Sequence, residues 1–374
     1  MTILHLGLTR RHAAALAAAA LCGLAALPGP AAAGSLRGHL YTSTNDPAGN
    51  MLLVYARSVA GGLTQVAQLP TGGNGTGAGL GSQGAVTLSQ DGQYLFVVNA
   101  GSRSVSTFTL GASGATLAST VDTGGDMPTS VTEAHGVVYV LNAGGDGNVS
   151  GFRNTGGALA ALPDGVRALS GAGVAPAQVA FDRTARTLVV SERNSNLLTT
   201  WAVHADGALG STMSTPSAGA TPFGFSFDAA NHLLVSEAQG GAELASSISS
   251  YRFGGGSPRT PDVITAALGT QQTAACWTAV TPDGRLAFTA NAGSGSVSSF
   301  RVDDTGALTL WQSVAEGSDG AHPTDMAVSP SGKRLYVLEG GLAVVGSFAI
   351  RPNGHLGTPV TAAVPATAAG LAAD

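Results

Sequence analysis

The sequence predicts an all-β protein, a seven-bladed β-propeller of four-stranded antiparallel blades that is closed by pairing of its N- and C-terminal strands. Three observations predict this fold class. Glycine supplies 54 of the 374 residues and only 10 % of residues are charged, a composition that suits many short strands and excludes a coiled coil or a disordered chain. A strand–turn–strand pattern also recurs along the chain, and an orphan strand pattern stands at each end.

The recurring unit is an apolar strand, an Asp-Gly-like turn, a second apolar strand that ends in Asn or Glu, a Gly/Ser loop and a third strand. Its clearest copies begin at Ala85 and Thr278. Asp-Gly between apolar runs indicates a hairpin, because the turn needs a positive φ that Gly tolerates. The second strands are predicted to end at positions 99, 142, 192, 237, 291 and 339. Their intervals, 43 to 54 residues, are close to the length of one propeller blade.

The two ends of the chain supply the seventh blade. Residues 39–44, 51–55 and 63–67 are predicted to be the second, third and fourth strands of a blade that lacks a first strand. Residues 368–373 resemble a first strand with nothing after it. Joining them closes the ring and removes its exposed strand edges. The alternative, a two-sheet sandwich or several small β domains, explains a sustained repeat of this length less well.

Residues 1–33 are interpreted as a signal peptide. Arg10 and Arg11 precede an apolar stretch over residues 13–27, which is too short for a comfortable membrane span, and small residues follow at 31–33. Residues 34–374 are then a single propeller domain, exported to the periplasm or secreted, with no membrane span. Only Cys276 remains in that domain, so no internal disulfide is expected.

Composition also limits the partners. The formal net charge of −5 and the lack of a basic cluster exclude a nucleic-acid partner, which requires many Lys/Arg contacts to phosphates. The histidines show no zinc-like spacing, so no cofactor and no metal are expected. A calcium ion held by rim carboxylates and carbonyls stays open, although no spacing requires it. We expect a monomer that takes a small-molecule ligand or substrate, with a protein or glycan partner as an open alternative.

Propeller topology places the candidate site. The segment leading into each first strand and the end of each second strand lie on one face, which we call the rim, while the Asp-Gly turns lie on the opposite face, the turn face. Small ligands favour such a concave mouth with convergent polar groups. We expect Glu192 to be the catalytic base, with Gln83, Ser130 and Gln178 as polar orienting groups. The predicted substrate-binding residues are Gln83, Ser130, Gln178, Phe223, Glu237, Cys276, Trp277, His322, Asp325 and Glu339.

Each candidate has a structural alternative. Glu192, Glu237 and Glu339 could form a carboxylate cluster whose members raise one another's pKa, or each could bind adjacent backbone amides. Cys276 could be a nucleophile activated by His322, or a buried apolar filler. The aromatic pair, Phe223 and Trp277, could stack on a ligand or plug the channel. An acidic rim would repel anionic substrates such as 6-phosphogluconolactone and admit neutral lactones more readily.

The turns at 281–284 and 329–332, the strand at 94–99 and the blade around 190–192 resemble the seven-bladed β-propeller lactonase family. That family includes propeller-type 6-phosphogluconolactonases and the fungal 3-carboxy-cis,cis-muconate lactonising enzymes. The resemblance implies an exported lactonase that acts on a small neutral lactone or organic acid, by lactone hydrolysis or the reverse cycloisomerisation, with Glu192 in the acidic position. Catalytic members carry a Pro-Arg-His run where this chain has Pro-Ala-Gln at 176–178. The alternative is therefore a non-catalytic propeller that binds a ligand, glycan or protein partner at the same rim.

Overall fold

The computed structural model describes residues 36–374, so the predicted signal peptide lies outside the described residues. Seven four-stranded sheets make up these residues, and every pair of neighbouring strands within a sheet is antiparallel. The predicted fold class is confirmed. In six of the sheets the four strands follow one another in chain order, whereas the seventh combines strands from the two ends of the chain.

The blades are numbered along the chain, and each is given from its innermost strand outward. Blade I holds β28 (Ala369–Ala373), β1 (Leu36–Ser43), β2 (Met51–Ser58) and β3 (Leu63–Pro70). Blade II holds β4 (Val86–Leu88), β5 (Tyr94–Asn99), β6 (Ser104–Gly111) and β7 (Gly114–Asp122), and blade III holds β8 (Pro128–Ala134), β9 (Val137–Asn142), β10 (Asn148–Thr155) and β11 (Ala158–Ala168). Blade IV holds β12 (Pro176–Phe181), β13 (Thr187–Glu192), β14 (Leu197–Val203) and β15 (Leu209–Pro216), and blade V holds β16 (Pro222–Phe227), β17 (Leu233–Glu237), β18 (Ser247–Phe253) and β19 (Pro261–Gly269). Blade VI holds β20 (Ala275–Val280), β21 (Leu286–Asn291), β22 (Ser296–Val302) and β23 (Leu308–Gly317), and blade VII holds β24 (Pro323–Val328), β25 (Arg334–Glu339), β26 (Val344–Ala349) and β27 (Val360–Ala363). Two single 3₁₀ turns occur at Gln239–Gly241 and Gly340–Leu342.

Blade I closes the ring as the orphan strands predict. Leu40 lies opposite Ala373 and Ser43 lies opposite Ala369 in an antiparallel ladder. The hydroxyl of Thr367 donates to the backbone oxygen of Thr44 at 2.7 Å. β28 therefore becomes the innermost strand of a blade whose other three strands come from the start of the described chain.

The core lies between the blades. All six residues of β9 and all six of β13 are buried, because a middle strand is covered on both faces by the neighbouring blades. Their near-continuous apolar sequences follow from this double burial. Outer strands such as β15 have mostly exposed or half-buried residues instead. The largest core side chains include Tyr139 and Trp201, both fully buried in one cluster between blades III and IV.

The strand register builds the rim. Pro176 is paired with Glu192, Pro222 with Glu237 and Pro323 with Glu339, so the start of each first strand meets the end of the second. All six predicted strand ends are the last residues of their strands. Within residues 36–374, no helix has the length and hydropathy needed to cross a membrane.

Candidate ligand site at the rim

The buried side chain of Gln83 links blade II to blade VI. Gln83 precedes the first strand of blade II, and its amide binds the backbone of Thr278 in blade VI: Nε2 donates to the carbonyl oxygen at 2.8 Å, and Oε1 accepts from the amide at 3.0 Å. The backbone amide of Gln83 donates to the carbonyl oxygen of Ala177 in blade IV. Trp277 Nε1 donates to the carbonyl oxygen of Ser82 at 2.8 Å. These bonds connect blades across the axis, so a ligand at the rim would lie above this layer.

Gln178 and Ser130 have similar structural bonds. The Gln178 amide forms two hydrogen bonds with the backbone of Phe225, at 2.6 and 3.0 Å. The Ser130 hydroxyl accepts from the amide of Val179 at 3.1 Å. Both side chains are buried. In this structure the three predicted orienting groups therefore tie neighbouring and opposite blades together.

Glu192 is fully buried, and donors from its own surroundings occupy both of its carboxylate oxygens. Thr199 donates to Oε1 at 2.7 Å and Ser195 donates to Oε2 at 2.8 Å. The backbone amide and the hydroxyl of Ser170, in the segment before blade IV, complete the set. These four donors hold the carboxylate inside the blade.

Glu237 repeats this arrangement one blade further on. Ser247 and Ser249 on β18 each donate to it at 2.5 Å, and the Gly219 amide donates at 2.9 Å. Burial raises the pKa of Glu237, and these donors partly offset the shift. Asn99 takes the same position in blade II, where its amide nitrogen donates to Ser104 and Ser106. The strand-end Asn or Glu thus binds hydroxyls of the third strand, which favours the structural alternative for these positions.

Glu339 is the exception among the three carboxylates. The third-strand positions that carry serine in blade V are Val344 and Gly346 here, so no hydroxyl reaches the carboxylate. Its Oε1 is buried with no hydrogen-bond partner among the described residues. Burial, and then the neighbouring charge of Glu316, raise the pKa of Glu339 to about 7. The charge that acts on Glu339 comes from Glu316, so the three strand-end carboxylates do not form one cluster.

Two further predicted residues belong to blade VII: Asp325 lies in β24, and His322 immediately precedes that strand. Asp325 is buried, accepts from the amide of Met326 at 2.8 Å, and has a pKa raised to about 8 by burial. His322 is exposed, and its Nδ1 lies 3.0 Å from the carbonyl oxygen of Ala292.

Cys276 does not have the surroundings of a catalytic thiol. Burial raises its pKa to about 12, and the charge that opposes this shift is that of Arg193. Between residues 36 and 374, no hydrogen bond joins Cys276 to His322. Because the thiolate is the nucleophilic form, this thiol is suited to packing beside Trp277 and Phe223 in the core of blades V and VI.

The structure brings Phe223, Cys276 and Trp277 together and adds Arg193, which sequence reasoning did not place among the site residues. The two aromatic rings are 5.2 Å apart, and the Arg193 guanidinium lies 5.0 Å above the Phe223 ring. Arg193 Nε donates to the Ala175 carbonyl oxygen at 2.9 Å. Its Nη atoms have no hydrogen bond and no carboxylate within 4 Å among the described residues. Its position one residue after a strand end was the signal that could have identified it.

The rim carries a different set of carboxylates at its surface from the one that the sequence predicts. Glu192 and Glu237 are 0 % exposed, whereas the loops of the rim carry four exposed carboxylates, namely those of Asp46, Asp126, Asp146 and Glu243. The half-buried Arg193 follows a strand end on the same face, and burial lowers its pKa. In the described part of the chain, no group of three or more His, Cys, Asp or Glu side chains is arranged to hold a metal ion.

Fold and site together define a seven-bladed β-propeller in which the guanidinium of Arg193, after a strand end on the rim, has no carboxylate within 4 Å among residues 36–374. The family model for the seven-bladed β-propeller lactonases matches residues 131–246 and 240–371. The chain therefore belongs to the seven-bladed β-propeller lactonase family. A comparison with curated proteins gives no significant match.

Solved structures show the same fold. The periplasmic gluconolactonase of Pseudomonas aeruginosa is 20 % identical with a TM-score of 0.72, and the alignment covers 91 % of this chain and 99 % of that one. A Bacteroides fragilis protein whose assignment as a 6-phosphogluconolactonase is provisional is 19 % identical with a TM-score of 0.68, over 92 % and 99 % of the chains. A Lactobacillus plantarum protein is 17 % identical with a TM-score of 0.71, over 91 % and 100 %. At these identities the likeness concerns the fold alone.

Proposed function

We propose that this chain is an exported lactonase-family propeller that binds a small organic acid at the rim, with the ligand carboxylate held by Arg193. The observation that carries the proposal is the unpaired guanidinium fork of Arg193 beside the ring of Phe223. Export is proposed from the charged, apolar and small-residue pattern of residues 1–33.

A guanidinium is suited to a carboxylate because its planar fork matches the two oxygens. Partial burial strengthens such a pair, since less water competes for the charge. The hydrogen bond to Ala175 and the contact with Phe223 fix the side chain from two directions. The rim is thus organised to receive an anion before any ligand arrives.

The polar side chains expected to catalyse lactone hydrolysis already have hydrogen-bond partners within the protein, which favours binding over hydrolysis. Hydrolysis needs a base that can activate water and donors for the developing oxyanion. The oxygens of Glu192 are occupied by four donors, and the amides of Gln83 and Gln178 are bound to backbone groups. The guanidinium of Arg193, which has no carboxylate partner among the described residues, favours an organic acid over a neutral lactone.

The test combines calorimetry with a pH-stat assay on purified residues 34–374. We expect saturable binding of gluconate, and acid release from glucono-δ-lactone and 6-phosphogluconolactone no faster than their uncatalysed hydrolysis. Arg193→Ala should weaken gluconate binding at least tenfold. The matched control is Arg103→Ala, because Arg103 lies on the same face but is paired with Asp126 at 3.0 Å.

Two results would contradict this proposal. One is gluconate affinity that is equal in the wild type and in Arg193→Ala. The other is lactone turnover that Glu192→Gln abolishes, which would make Glu192 the catalytic base that the family resemblance implies. The Glu192→Gln protein should be checked for native unfolding behaviour, since the carboxylate also holds Ser170 and Thr199.

A further inference from the structure

A second candidate site lies on the turn face, opposite the rim. A cavity of about 560 Å³ opens there between blades III, IV and V. Cavities of this size are typical of small-molecule sites. Basic side chains line it, namely Arg153, Arg186, Arg259, His135 and His204, and no acidic side chain is among the lining residues.

The charges of these arginines are largely uncompensated. Arg259 is paired with Asp182, whose side chain is fully buried below the cavity, at 3.7 Å. Asp182 is itself held by the hydroxyl of Thr184 and the side-chain amide of Asn231, at 2.7 and 2.9 Å. Within residues 36–374, neither Arg153 nor Arg186 has a carboxylate within 4 Å. Two guanidinium groups without a carboxylate partner therefore line one cavity in a chain of net charge −5, and that of Arg153 also donates to the backbone oxygen of Asp206.

The floor of the cavity is apolar, in contrast to its basic mouth. It is made by Ala134, Val137, Phe181 and Ala202, all buried apolar residues. One wall is the loop Gly255–Arg259 between β18 and β19. An apolar floor below a cationic mouth suits a ligand with a carbon skeleton and more than one negative charge.

We propose that this cavity binds a small organic dianion, with its charged groups on Arg153 and Arg186 and its skeleton on the apolar floor. The site is separate from the rim, so it neither requires nor replaces the ligand held by Arg193. A dicarboxylate and a phosphate ester both carry two negative charges on a small carbon skeleton. The experiment below distinguishes between these two ligand types.

The experiment titrates purified residues 34–374 with phthalate, phenyl phosphate and benzoate at pH 8 by calorimetry. These probes share an aromatic skeleton and carry two, two and one negative charges. We expect at least one dianion to bind tenfold or more tightly than benzoate, and the tighter dianion identifies the charged group. Arg186→Ala, which removes a side chain with no described hydrogen bond, should weaken that binding at least tenfold, and Arg153→Ala should do the same.

Two control variants locate the site. Arg285→Ala removes an arginine from the turn face outside this cavity and should not change dianion binding. Every titration is also repeated in the Arg193→Ala background, where the rim cation cannot hold a probe carboxylate and the Arg186-dependent binding should persist. The proposal is overturned if benzoate binds as tightly as both dianions. It is also overturned if Arg186→Ala leaves the affinity unchanged, or if Arg193→Ala abolishes dianion binding, which would assign the probe to the rim.

Discussion

Replacing Gln83 by alanine should destabilise the propeller, because one side chain joins opposite blades through the channel axis. The substitution removes both hydrogen bonds to the backbone of Thr278. The Thr278 carbonyl oxygen keeps a bond from the Ser226 hydroxyl at 2.8 Å, so the orphaned group is the amide N–H. A buried unpaired donor costs about 1–3 kcal/mol and the lost second bond about 1 kcal/mol. We expect the free energy of unfolding to fall by roughly 2–4 kcal/mol.

Two measurements report on this change. Urea unfolding gives the loss of stability, and amide hydrogen exchange reports on Thr278 directly. A local loss of about 2 kcal/mol corresponds to roughly 30-fold faster exchange of that amide. Gln90→Ala is the matched control, since Gln90 is exposed and its side chain has no described hydrogen bond. Unchanged unfolding together with unchanged protection of the Thr278 amide would refute the cross-channel reasoning.

Three further predictions concern other parts of the fold. The folded-state pKa of Glu339 is about 7, above its ordinary value of 4.5. The folded state therefore binds the proton of this carboxyl group more tightly than the unfolded state does. As a consequence, the free energy of unfolding falls as pH rises from 4.5 to 7. Glu339→Gln should therefore raise the free energy of unfolding at pH 8 by on the order of 1–3 kcal/mol and have little effect at pH 4; an equal effect at both pH values would contradict this. Cys276, with its pKa raised to about 12, should react with iodoacetamide at pH 8 only after unfolding, and rapid alkylation of the native protein would argue against its burial. Deletion of residues 365–374 should expose the edge of β1 and cause a large loss of stability or aggregation, whereas a truncated chain that melts like the full one would contradict closure through β28.

The sequence predicted backbone features well because each leaves a periodic signal. Asn291 and Glu339 end their strands as the repeat requires, and residues 368–373 complete blade I. Side-chain direction leaves no such signal. The pairing of Gln83 with Thr278 spans 195 residues of sequence, and no local pattern states which blades face each other across a ring.

The candidate site was predictable in part for the same reason. The rim positions follow from topology, but the burial of Glu192 depends on hydroxyls at Ser195 and Thr199 that receive it. Those hydroxyls are visible in the sequence only once the register of the third strand is known. Sequence analysis did not select Arg193, because two tertiary features distinguish it. Its guanidinium has no carboxylate partner among the described residues, and it contacts the ring of Phe223, which lies 30 residues later in the chain.

The composite blade I also has a consequence for the order of folding. Val179 and Val190 pair across a hairpin of 11 residues, whereas Ser43 and Ala369 are 326 residues apart. Loop-closure entropy grows as the logarithm of this separation, so the second pairing costs about 3 kcal/mol more to initiate. The hairpins of blades II to VII can therefore form from local contacts, while blade I must wait for most of the ring to bring its two parts together. We expect the β1–β28 contacts to appear last in refolding and to set its slowest phase.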